Sequence, residues 1–194
     1  MKLILSSCDF RNENSAKCIY DNLPKAIGDC KVLFFPNEKS NDELIKSGMY
    51  HNRLTEFGFK SENVYVFNYW NPEKFFNLDI DAIYISGGNT FGTIKLIRES
   101  GADKLIINLV NNGAVYIGGS AGAHIVTPDI THVQKYDTNT FGLCDLSGLG
   151  LCDRIFICHY NVDREKDYLE LKVSSKYKVT TLTNDEYLVV LSEQ

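Results

Sequence analysis

The residues of this chain best suited to chemistry sit in Gly118-Gly119-Ser120-Ala121-Gly122, a G-x-S-x-G pattern preceded by the apolar run Val115-Tyr116-Ile117. A strand that turns sharply into a helix at such a pattern holds its central serine in a strained conformation with the hydroxyl exposed. The chain crosses itself closely there, and side chains at positions 118 and 122 would collide, so glycine flanks the serine. The helix that follows aims its first amides at an oxyanion forming on the serine's target, and the Ala121 N–H is the natural donor. Ser120 is the candidate nucleophile for acyl transfer.

A serine hydroxyl is a weak nucleophile until a base takes its proton. The histidines available are His51, His124, His132 and His159. His124 follows Ser120 by one helical turn and points away from its hydroxyl; His51 falls on a helix surface and His132 in a loop. His159 ends an apolar run at residues 154–158, where a strand's carboxyl end opens on the cleft, and is the candidate base. Its orienting acid is Asp185 in the last turn, with Asp137, in the loop after the elbow, and Glu186 as alternatives. Chain order does not choose among them, because triads are defined by geometry. A second glycine turn, Ser86-Gly87-Gly88-Asn89-Thr90-Phe91, offers the Gly88 N–H as a second oxyanion donor and Asn89 and Thr90 as substrate contacts. It lacks the Lys-Ser/Thr ending of a P-loop and the G-x-G-x-x-G of a dinucleotide site.

Both glycine turns need strands to position them. Apolar runs at 2–6, 31–35, 64–67, 81–86 and 114–118 alternate with helix-like segments at 14–27, 42–57, 91–99 and 102–111, Pro24 shortening the first of these. That order predicts a mainly parallel sheet with helices on both faces, and ligands at the carboxyl ends of its strands. Residues 127–150 read as a long loop. Strand 154–158 follows, then a short helix at 164–173, then a closing hairpin of 178–182 and 187–191 around Thr183-Asn184-Asp185-Glu186. The reading is one domain, 1–194.

Composition narrows the partners. A hydrophobic fraction of 44% supports a sizeable core, and a net charge of −5 argues against nucleic acid and against an anionic membrane surface. The apolar stretch at the N-terminus is too short for a signal-peptide core, and no segment approaches the roughly 20 residues of a membrane span. A cytoplasmic protein is expected. The six cysteines form no CxxC pair and have no zinc-ligand spacing with the histidines, so reduced thiols and no metal are expected.

At GGNTF (87–91), YIGGSAGA (116–123) and Cys158-His159-Tyr160 the sequence resembles peptidase family S51, the peptidase E or aspartyl-dipeptidase-like family. The resemblance runs in order and spacing through most of the chain. It implies a class I glutamine amidotransferase-like fold, a three-layer α/β/α sandwich with a mainly parallel central sheet, in which serine replaces that superfamily's cysteine. It also implies peptide-bond hydrolysis without metal or organic cofactor, with Ser120 as nucleophile, His159 as base and Gly88 and Ala121 at the oxyanion positions. Two departures stand out. Aspartyl dipeptidases carry Pro-Glu-Gly where this chain has Thr183-Asn184-Asp185-Glu186. They also carry Gly-x-Thr-Arg-Glu after the histidine, where this chain has Asn161-Val162-Asp163-Arg164-Glu165, leaving Arg164 as the candidate for a substrate's aspartyl side chain.

The function expected is a serine peptidase of the S51 type, a dipeptidase acting on short peptides as a monomer or homodimer. The alternatives are another amide hydrolase on the same fold and a catalytically inactive small-molecule binding or sensor protein.

Overall fold

The computed structural model describes residues 1–191. In chain order the elements are β1 (Lys2–Ser6), α1 (Glu13–Asn22), β2 (Val32–Phe35), α2 (Asp42–Lys46), α3 (Met49–Glu56), β3 (Val64–Val66), β4 (Ala82–Ile85), α4 (Thr90–Glu99) and α5 (Ala102–Asn111). There follow β5 (Val115–Gly119), α6 (Ala121–Ile125), β6 (Arg154–Cys158), α7 (Glu165–Ser174), β7 (Lys178–Leu182) and β8 (Tyr187–Leu191). Six strands form one sheet in the order β3-β2-β4-β5-β1-β8, parallel throughout except for β8 against β1. β6 and β7 pair in parallel as a second, small sheet.

The strands read as apolar runs because both faces of the sheet are covered. Leu3, Leu5, Leu33, Phe35, Ile83, Ile85 and Tyr116 face one buried cluster, which α4 and α5 close with Phe91, Ile94, Ile97, Leu105 and Ile106. Their neighbours Ile4, Val32, Phe34, Tyr84, Val115 and Ile117 face the other, closed by Ile19 of α1 and by Tyr50 and Leu54 of α3. This period-two division of single strands between two cores is the α/β/α sandwich the sequence predicts. Among the described residues no helix is long and apolar enough to cross a membrane.

Two expectations about the elements are corrected. The segment 42–57 is two helices, broken at Gly48, whose φ of +79° a continuous helix cannot contain. The strands at 178–182 and 187–191 are not a hairpin. β7 joins β6, whereas β8 joins β1, where Leu188 and Val190 pack on one core and Val189 on the other. A strand with apolar residues on both faces gains more at the edge of the main sheet than in a two-stranded ribbon. Residues 183–186 therefore cross from one sheet to the other.

The loop at 127–150 is tied down rather than free. The Arg98 guanidinium of α4 donates to the carbonyls of Asp145 and Ser147, at 2.7 and 2.6 Å. A side chain at Gly148 would run into the Thr127 carbonyl, so glycine is required where the loop closes on itself.

Candidate active site

β5 and α6 meet at Ser120, which has φ +50° and ψ −107°. Its N–H donates to the Ser6 carbonyl at 2.9 Å, and its own carbonyl accepts from Ala123 and His124. The glycines around it leave no room for a side chain. A Cβ at Gly118 would lie 2.7 Å from the Gly122 carbonyl oxygen, and one at Gly122 would overlap the carbonyl of Ile85. The Tyr116 hydroxyl braces the crossing by donating to the Gly122 carbonyl at 2.8 Å. Backbone hydrogen bonds over-determine the strained serine from both sides.

His159 arrives at the carboxyl end of β6 with φ +53°. Its N–H donates to Ser7 Oγ, and the Ser7 hydroxyl donates to the Leu182 carbonyl, both at 2.9 Å. One buried serine after β1 thus joins the ends of β6 and β7 and fixes the height of the imidazole. His159 Nε2 lies 3.0 Å from Ser120 Oγ. Its Nδ1 lies 2.7 Å from Oδ1 of Asn184, in the segment that crosses between the sheets. An amide oxygen there accepts the Nδ1 proton and leaves Nε2 bare toward the hydroxyl, the tautomer a general base needs.

None of the three carboxylates takes that position, which corrects the expected acid. Asp185 Oδ1 accepts from the Asn12 amide at 2.7 Å, Glu186 Oε2 accepts from the Thr183 N–H at 2.7 Å, and Asp137 Oδ2 accepts from the Thr90 N–H at 2.8 Å. Asp137 thereby caps the positive end of α4. The expected segment, residues 183–186, does reach His159, but the residue it presents is an amide beside the expected carboxylate.

The expected substrate contacts are also placed otherwise. Thr90 is wholly buried, with its hydroxyl 3.3 Å from His124 Nδ1. The Asn89 side chain caps α4 through the Gly92 N–H at 3.0 Å and donates to the Thr138 carbonyl. Arg164 donates to the Cys158 carbonyl and stacks on the Tyr136 ring, 4.2 Å from its centroid. These three side chains are committed to the protein itself. Gly88 is brought to the cleft in front of Ser120 and His159, together with Cys8, Arg11, Asn37, Lys39 and Gly87. Ala121, first residue of α6, contributes an amide with no acceptor inside its helix.

The sequence reading missed Asp9 and Arg11. Asp9 is fully buried, with φ +46°, and Arg11 Nε and Nη2 donate to its two carboxylate oxygens at 3.1 and 3.4 Å. Burial pushes its carboxyl above the usual range, against the opposing pull of the Arg11 guanidinium and the Tyr84 hydroxyl. A side chain at Gly119 would run into this carboxylate, so Asp9 packs directly behind the elbow. Asp9, Ser120 and His159 are the non-glycine residues with positive φ among those described. The signal available was the polar run Ser6-Ser7-Cys8-Asp9 at the carboxyl end of a buried parallel strand.

Among the described residues no group of three or more His, Cys, Asp or Glu side chains is arranged to hold a metal ion. All six cysteines are free. Burial pushes the Cys158 thiol, 3.8 Å from the Ser120 carbonyl, up to about 12, so it stays protonated and unreactive.

A serine on a strand-to-helix elbow, facing a histidine from a strand end of the second sheet, puts this α/β sandwich in the class of elbow-serine proteins. The chain belongs to peptidase family S51, which matches residues 2–194. It is 33% identical over 119 residues to an uncharacterised peptidase of Listeria monocytogenes serovar 1/2a, covering 59% of this chain and 58% of that one. It is 44% identical over 52 residues to peptidase E of Citrobacter koseri, covering 27% of this chain and 23% of that one. The aligned part thus spans little more than half of the first relative's length. A crystal structure from Listeria monocytogenes EGD-e, named for peptidase E, superposes with a TM-score of 0.73 at 24% identity, covering 97% of this chain and 93% of that one. The structure of a peptidase from an acI-B1 Actinobacterium superposes with a TM-score of 0.68 at 15% identity, covering 97% and 82%. Both likenesses concern the fold.

Proposed function

We propose that this chain is a serine-type peptidase, a dipeptidase acting on short peptides without a metal or organic cofactor. The observation that carries the reading is the line Ser120 Oγ, His159 Nε2, His159 Nδ1, Asn184 Oδ1, with contacts of 3.0 and 2.7 Å at its two ends. Nε2 takes the hydroxyl proton as Oγ attacks the scissile carbonyl. The negative charge on the tetrahedral oxygen meets the Gly88 and Ala121 amides. The C–N bond then breaks, Nε2 returns its proton to the leaving amine, and water repeats the cycle on the acyl-enzyme to release the acid and free Ser120.

A neutral Asn184 orients the imidazole without stabilising its charged form as a carboxylate would. Cysteine peptidases with a Cys-His-Asn set operate with an amide in this position. Aspartyl specificity has less support than hydrolysis, because Arg164 is occupied by Cys158 and Tyr136.

The test is hydrolysis of a dipeptide panel (Asp-X, Glu-X, β-aspartyl-X and neutral-X) by the parent chain and by Ser120→Ala. Cleavage by the parent and none above residual turnover by the variant supports the reading. No cleavage of any member by folded parent protein moves the reading to another amide substrate or to a binding role.

A further inference from the structure

The cleft at Ser120 continues past the reacting residues. Its compartment at Ser120 and His159 has a volume of about 430 Å³, and Arg11, Asn37 and Gly87 belong also to an adjoining compartment of about 420 Å³. The second is lined by Tyr84 and Phe57, with Arg53 and Glu56 of α3 at its edge. We propose that the two compartments form one groove for a peptide longer than two residues, and that Arg11 and Arg53 hold a substrate carboxylate beyond the scissile pair. The proposal rests on the hydrolytic reading of Ser120 and widens its substrates from dipeptides to tripeptides and longer chains.

Size is the first argument. Each compartment alone lies at the lower end of the roughly 300–1,000 Å³ spanned by small-molecule pockets, and the two together offer room for a chain longer than a dipeptide.

Charge is the second. Arg11 is held by Asp9, which takes the Nε–H, shared with the Cys8 carbonyl, and one N–H of Nη2, and leaves the remaining guanidinium donors free for a ligand. Such a cation binds without first being ordered, which lowers the entropic cost of association. Its Nη2 lies 3.2 Å, and Ser120 Cβ 3.3 Å, from the point a Gly87 Cβ would occupy, so the guanidinium stands beside the nucleophile. Among the described residues the Arg53 side chain makes no ion pair or hydrogen bond, although Glu56 shares its compartment. With Lys39, which lines the Ser120 compartment, three cations line the groove of a chain whose net charge is −5, and Glu56 lines it with them.

The floor is the third. Phe57 stacks on Phe10 with ring centroids 4.6 Å apart, and Tyr84 is buried with its hydroxyl on Asp9. These fixed rings line the same compartment as the two arginines, so a peptide there meets apolar surface and guanidinium donors together. Asp9 also shares the strained backbone of Ser120 and His159, so the support of Arg11 is built into the same ground as the nucleophile.

The carboxylate has two possible sources, the peptide's C-terminus or an acidic side chain, and calorimetry with Ser120→Ala separates them. The ligands are a dipeptide, the tripeptide extended from it as C-terminal acid and as amide, and amidated tripeptides with Asp or Asn third. We expect the acid tripeptide to bind more tightly than the dipeptide. The carboxylate-bearing member of one pair should bind about 10- to 100-fold more tightly than its neutral partner. Adding Arg53→Gln to Ser120→Ala should bring that ratio close to one, and Arg53→Lys should retain part of it. Ratios near one in both pairs, or a ratio unmoved by Arg53→Gln, overturn the proposal. Tight carboxylate-dependent binding of peptides that the parent chain does not cleave instead removes the hydrolytic reading and leaves the groove.

Discussion

His159 Nδ1 and Asn184 Oδ1 lie 2.7 Å apart, although they come from the end of β6 and from the crossing between β7 and β8, 25 residues further on. The contact exists because β7 pairs with β6 and β8 leaves for the main sheet, which draws residues 183–186 past the Nδ1 edge of the imidazole. Removing it in Asn184→Ala should lower kcat by about 10- to 100-fold, less than the roughly 10²–10⁴ that a positioned base contributes as a whole. KM should change much less. In Asn184→Asp a carboxylate would stabilise the imidazolium, so the acid limb of the kcat/KM profile should move to higher pH. An unshifted limb, or full activity in Asn184→Ala, would show that the contact does not orient the base.

The carboxylates that do not meet His159 give the complementary result. Asp185→Ala should keep kcat within a few-fold of the parent. Asp137→Ala should lose about 1 kcal/mol of stability, because the Thr90 N–H at the start of α4 loses its acceptor. Urea denaturation and steady-state kinetics on both variants check this. A collapse of kcat in Asp185→Ala would reinstate it as the orienting acid.

Gly122 and Gly142 separate steric from conformational need. A Cβ at 122 overlaps the Ile85 carbonyl, so Gly122→Ala must displace β4 or α6, at a cost on the order of 3 kcal/mol. That corresponds to a fall in Tm of roughly 6–12 °C for a chain of this size. Gly142 has φ +65° with open space around it, so Gly142→Ala should cost only about 1 kcal/mol. Thermal denaturation gives the order of the two, and equal losses would contradict the crowding assigned to the elbow.

His124 and His132 make stability depend on acid. Both are buried, their ring centroids are 5.7 Å apart, and His124 Nε2 and His132 Nδ1 have no hydrogen-bond partner. Burial holds His124 well below the ordinary histidine value, helped by the neighbouring His132, His159 and Arg164. Burial also lowers His132, against the pull of the Phe156 carbonyl and Asp129. Because the folded values lie below the unfolded one, the unfolded chain binds more protons as pH falls through about 6.5, and stability drops from there downward. Each unit of depression is worth about 1.4 kcal/mol. Tm measured against pH should decline below about 6.5 in the parent and less steeply in His124→Gln. Parallel curves would count against the assignment.

The parts legible in the sequence were those with local signals. Val115–Gly119 announces a buried strand, the glycines at 118 and 122 announce a crossing, and the apolar run before His159 puts that histidine at a strand end. What was not legible depends on long-range pairing. Periodicity alone gives β7 and β8 the look of a hairpin, and only the packing of Leu188, Val189 and Val190 on two cores sends β8 to β1. The turn that meets His159 was legible, but which of its residues faces Nδ1 depends on how the chain crosses between the sheets, and it is Asn184. Arg11 likewise has meaning only once Asp9 is seen buried behind Gly119, a contact 110 residues apart in the chain.

The central claim is that Ser120 is a nucleophile activated by His159. Its most direct test is reaction with a fluorophosphonate, followed by intact-protein and peptide mass spectrometry, for the parent, Ser120→Ala and His159→Ala. One adduct per chain is expected, mapped to Ser120, absent in Ser120→Ala and formed far more slowly in His159→Ala. A parent chain that stays unmodified, or an adduct that persists in Ser120→Ala, would contradict it.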